Sequence, residues 1–114
     1  MSKGNTLENS WLLLLFNATA IADIAENDAT SPLTNLYVSL HTADPGEAGS
    51  QTTSEISYTG YARVAVARSG SGWTVTANSV SPAAEIAFTI SSGGTGGTVT
   101  HFAVGTASSG AGVL

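Results

Sequence analysis

Leu36-Tyr37-Val38-Ser39-Leu40-His41 sets aliphatic residues in strict alternation with Tyr, Ser and His. In an extended backbone successive side chains leave on opposite faces, so Leu36, Val38 and Leu40 share one face while Tyr37, Ser39 and His41 share the other. The segment reads as a half-buried strand, and a fold built around it is a sheet.

Downstream the same period recurs. Tyr61 to Arg68 alternates, the turn Ser69-Gly70-Ser71-Gly72 follows, and Trp73, Val75 and Ala77 form the inward set of a return strand, so the two runs predict a hairpin. A further strand is expected over Glu85–Ser91 around Ile86, Phe88 and Ile90, and another over Thr98–Gly105 after the Gly-rich turn Gly93 to Gly97. A sixth is indicated near Ser79-Val80. Ser108 to Leu114 reads as a turn and the opening residues of a last strand that is cut short, which predicts an unpaired sheet edge or a chain that continues.

Upstream the period changes. Leu7, Trp11, Leu14, Leu15, Ala18, Ile21 and Ala22 recur at spacings of three and four, which predicts one helix over about residues 6–26, opened by an Asn5/Glu8 capping box. Leu12, Leu13 and Phe16 lie off that stripe, so the helix is apolar around much of its girth and is expected to be covered on more than one side. Pro32 and the polar run before it end the helical pattern. Asp44-Pro45-Gly46 belongs to a long, polar, exposed loop. Together these readings give a single domain over 1–114: a mainly β, antiparallel sandwich or jelly-roll-like body over about 35–114, carrying one N-terminal helix.

Composition narrows the function. Only 10% of residues are charged, against roughly 25% in ordinary soluble domains, so either a surface of Ser, Thr, Gly and Ala is covered in part by partners or the chain shares the Ser and Thr preference of extracellular β proteins. The net charge is −5, and Lys3, Arg63 and Arg68 are the only basic residues, which argues against nucleic acid as a partner. Without cysteine there is no disulfide framework, thiol nucleophile or thiolate metal site. Trp11 to Phe16 is far short of the ~20 apolar residues that span a bilayer, and only Lys3 precedes it where a signal peptide carries several basic residues, so no membrane role is expected.

No spacing supplies catalytic chemistry. His41 and His101 stand alone, without an HxH or HExxH partner, and the acids are dispersed; Asp44 and Glu47 lack the regular spacing of a calcium loop. The Gly-rich runs lead into no Lys-Ser/Thr helix start, and no GxSxG elbow is present. The chain is expected to be no enzyme, with no cofactor, no metal and no small-molecule substrate. Tyr37, His41, Arg63 and Arg68 are the candidate interface residues, because their neighbours at alternate positions supply the core.

Leu36 to Pro45 ("LYVSLHTADP"), Tyr58 to Val66 ("YTGYARVAV") and Val99 to Thr106 ("VTHFAVGT") together resemble a family of small virion proteins of tailed bacteriophages, known as tail fibre or as head decoration and cement proteins. The resemblance covers most of the chain and carries no catalytic residue. It implies a structural virion protein. The leading reading is a capsid decoration or cement protein in the phage head, bound to the major capsid protein and to copies of itself in a homo-oligomer such as a trimer. The alternative is a tail fibre or baseplate attachment module. A carbohydrate-binding domain, with Trp73, Tyr58 and Tyr61 stacking on sugars, is the third.

Overall fold

The computed structural model describes residues 4–21, 25 and 32–114. Its elements are α1 (Asn5–Asn17), β1 (Asn35–His41), β2 (Val64–Ala67), β3 (Trp73–Thr76), β4 (Ser79–Pro82) and β5 (His101–Gly105). Among the described residues the fold is mainly β, with antiparallel pairing and a single N-terminal helix. The strands form a three-stranded sheet in the order β2-β1-β5 and a two-stranded sheet, β3-β4. The chain divides into two compact units, Met1–Asn35 with Val66–Glu85, and Leu36–Ala65 with Ile86–Leu114.

In the first unit α1 ends earlier than the periodicity suggests. Ala18 turns into the left-handed region (φ 54°) and the Thr19 N–H donates to the Leu13 carbonyl at 3.1 Å, a closure that terminates a helix. Beyond it Ile21 and Ala25 bridge each other as extended residues; 22–24 and 26 lie outside the described residues. The apolar residues at 21 and 22 continued the three-and-four spacing, but spacing does not register the backbone reversal. The Asn5/Glu8 capping box is also absent: Gly4 is the N-cap and no side chain caps it.

Phe16 meets Trp73 edge-on (4.9 Å between centroids, 65°), and Trp73 is buried. The Asn17 carboxamide, with its nitrogen turned toward the surrounding carbonyls, donates to Trp73 O (3.1 Å) and Ser69 O (3.2 Å) and fastens the last turn of α1 to the start of β3. The hairpin expected across Ser69–Gly72 is corrected here. β3 pairs instead with β4, in register from Trp73↔Pro82 to Thr76↔Ser79, so Ala77-Asn78 is the two-residue turn. A two-residue turn needs far less chain to close than a four-residue one, and Ala77 accepts a left-handed φ of 53° to make it.

In the second unit β1 pairs antiparallel with β5, from Tyr37↔Gly105 to His41↔His101. Beyond the ladder, Ile56 N donates to Leu40 O and Thr42 N to Ser54 O, both at 2.9 Å. That connection covers the face of β1 that the alternation assigned to solvent. Val38 and Ile56 are buried, and so are Ser39, His41 and Gln51. Gln51 reaches into the unit: its Nε2 donates to Tyr37 O (3.3 Å) and its Oε1 accepts from Ala107 N (2.9 Å). A Cβ at Gly105 or at Gly112 would collide with the Gln51 side chain, so glycine at both positions is what admits it.

The strand expected over Glu85–Ser91 does not form. Ile86 and Phe88 are half-buried and alternate as predicted, and Phe88 stacks on Tyr61 (6.3 Å, 6°), but the segment joins no ladder. Near the last described residues, Gln51 N donates to Gly112 O and Thr106 N to Val113 O, each at 3.0 Å.

Candidate interaction surface

Of the four residues expected to face a partner, Tyr37 is half-buried and three are engaged within the chain. His41 is the clearest correction: it is fully buried. Its Nδ1–H donates to Thr53 O (2.8 Å), and in a neutral ring Nε2 accepts from the Ser39 hydroxyl (2.9 Å). Alternation along β1 identifies two faces but not whether another segment covers the second.

Arg63 forms a clasp. Its Nε and Nη2 each donate to one oxygen of Glu55 at 2.7 Å, a bidentate fork, while Nη1 donates to Ala107 O (2.9 Å) and Nη2 also to Gly110 O (2.8 Å). The Arg63 side chain is 3% exposed and that of Glu55 15%. Tyr61 joins the group, its hydroxyl donating to Glu55 Oε1 (2.9 Å) and accepting from Leu40 N (3.0 Å). Burial alone would raise the Glu55 carboxyl, but the hydrogen bonds from Arg63 and Tyr61 and the charge of Arg63 hold it below the ordinary carboxylate range. Burial pushes the Tyr61 phenol up to about 12, and the neighbouring carboxylate adds to the effect. The hydrogen bond to Glu55 raises Arg63 further.

Arg68 performs a similar task in the other unit. α1 has no basic residue in its last turn. Arg68 supplies one, donating from Nε to Leu15 O (2.7 Å), from Nη2 to Leu14 O (2.6 Å) and from Nη1 to Leu33 O (3.1 Å). Those helix carbonyls have no partner within α1, and a cation at this end complements the helix dipole.

The surface available to partners is apolar instead. Leu7, Trp11 and Leu15 repeat every fourth residue along α1 and are exposed, Trp11 at 41%, and Trp11 and Leu15 line an open groove of about 610 Å³ together with Glu8, Leu12 and Asn78. No residue of α1 is fully buried, so the coverage on several sides that its apolar girth predicts is not provided among the described residues. In the second unit Ile90 is 90% exposed and Phe102 72%. Periodicity had placed Trp11 and Leu15 on the inward stripe and Ile90 among the inward residues of a strand. The sequence signals for a covered outside are the deficit of charge and the apolar girth of the helix.

Among the described residues no group of three or more His, Asp or Glu is placed to hold a metal ion, and no helix is long and apolar enough to cross a membrane. The family described as podophage GP4 fiber I protein gp80 matches residues 2–114. The chain belongs to that family. It is therefore a bacteriophage structural protein of the virion, as the resemblance implied, within a family described by its fibre. No curated protein and no solved structure matches the chain.

Proposed function

We propose that this chain is a non-catalytic attachment module of a phage fibre, docking on neighbouring tail or fibre subunits through apolar surface. The fibre family supports this reading over the capsid cement role that led on sequence grounds. The observation that carries the mode of action is the exposed Leu7/Trp11/Leu15 stripe on α1, on a helix whose only charge is Glu8. Contiguous apolar surface left by a folded chain marks a place where another protein sits. The polar and ionisable groups with distinctive environments, His41, Glu55, Tyr61 and Arg63, are consumed by internal hydrogen bonds, so none is presented to a substrate. Nucleic acid, membrane and small molecules are not partners in this reading.

Copy number tests it. Quantitative mass spectrometry of purified particles should give this chain at a few per cent of the major capsid protein. A ratio near one to one would overturn the fibre reading and restore the capsid decoration role.

A further inference from the structure

β5 lies at the end of the β2-β1-β5 order, and among the described residues no strand pairs with its outer side. An open edge presents a row of unpaired N–H and C=O groups, and soluble proteins ordinarily guard such an edge with a charge, a proline or a bulge. His101-Phe102-Ala103-Val104-Gly105 has none of these, and no Asp, Glu, Lys or Arg occurs from Ile86 to Leu114. The strand instead leaves Phe102 almost uncovered.

We infer that β5 is a homotypic pairing edge, joining antiparallel to β5 of a second copy of this chain about a two-fold axis. The occupant follows from charge. At a net −5, two copies repel through any face that carries their carboxylates, and this edge belongs to Ile86–Leu114, a stretch that carries no charged residue of either sign. The strand is also self-complementary. Pairing all five residues with their equivalents puts the axis at Ala103, which sets His101 opposite Gly105 and Phe102 opposite Val104 of the second copy. Phe102 and Val104 share a face with Leu40 and Val38, their partners in β1. Each Phe102 thereby gains an aromatic–β-branched cross-strand contact, the kind of pair that stabilises sheets. The two sheets become one of six strands, and the apolar face of β1 and β5 continues across the axis. The inference does not depend on where in the particle the chain resides.

The test uses the isolated full chain. Sedimentation equilibrium should show a species of twice 11.4 kDa that dissociates on dilution. Because Phe102 is exposed, Phe102→Lys should retain the native circular dichroism while weakening self-association roughly 30-fold or more, as loss of an interface anchor does. Thr74→Lys, at an exposed position of β3, should leave association unchanged. Hydrogen exchange in the unmodified chain gives a reading free of substitution: outward amides of His101–Gly105 should gain protection with rising concentration. A chain that stays monomeric, a trimer, an association that survives Phe102→Lys, or β5 amides that exchange equally fast at all concentrations would each overturn the inference. Copy number in particles bears on the fibre proposal alone, so the two can fail separately.

Discussion

Replacing Arg63 with alanine should be the most damaging single truncation of a polar residue in this chain. The substitution strands the Glu55 carboxylate, whose side chain is only 15% exposed, and frees the carbonyls of Ala107 and Gly110. Breaking one side of a buried pair costs about 3–5 kcal/mol, because the remaining charge keeps its desolvation penalty without its partner. The carbonyls add little, since water can reach the Gly110 side. Against the ~5–15 kcal/mol that stabilises a typical domain, that is a large fraction. Urea unfolding followed by far-ultraviolet circular dichroism would report it as a lower midpoint at unchanged slope. Arg63→Lys should recover less than half, because one ammonium cannot span two carboxylate oxygens and two carbonyls. The double variant Arg63→Met/Glu55→Leu should cost less than the sum of its singles. A loss below ~1 kcal/mol for Arg63→Ala would mean that the clasp behaves as a screened surface pair, and the reasoning would be wrong.

Two further outcomes follow from the same geometry. Glu55 is depressed in the folded state, so its contribution is present above the unfolded carboxylate value of 4.5 and is lost as pH falls through the folded one; Tyr61 is raised, so its contribution is present below 10.0 and is lost between there and about 12. Stability measured against pH should fall at both ends, with Glu55→Gln flattening the acid limb and Tyr61→Phe the alkaline one. Arg68→Ala should destabilise the first unit by about 1–2 kcal/mol, read from fluorescence of Trp11 and Trp73, and Arg68→Lys should not restore it; an unchanged transition would mean that the helix end is satisfied by water.

The legible parts of the fold were those decided by local periodicity. Leu36–His41 was expected and β1 is Asn35–His41; the alternation around Val64 and Val66, the strand at Trp73 and the run ending at Gly105 all correspond to strands. Period two reports an extended backbone, however, and not the presence of a partner. Ile86 and Phe88 alternate without a ladder, while Ser79–Pro82, scarcely marked by its composition, pairs because a two-residue turn delivers it to β3. The candidate surface was less legible for the same reason. Nothing near Arg63 in sequence announces that Glu55, Ala107 and Gly110 converge on it, and nothing near Arg68 announces the end of a helix that is 53 residues away at Leu15. Scarce arginines in a charge-poor chain were read as contacts for others, whereas their long, many-donor side chains are used to tie distant segments of the same chain.

The distance between Leu15 and Arg68 also sets an order of events during synthesis. A helix of α1's 13 residues is marginal in water on its own, and its last carbonyls stay open until residue 68 has left the ribosome. Its apolar stripe is thus displayed on the nascent chain well before the helix is secured, so this segment is where a chaperone would be expected to bind during translation, and where crowded polysomes would first aggregate. The Arg63 clasp waits longer still, for Ala107 and Gly110. Slowing elongation after α1 has emerged from the ribosome and before residue 68 has done so should therefore lower soluble yield, while the same delay once residue 68 has emerged should not.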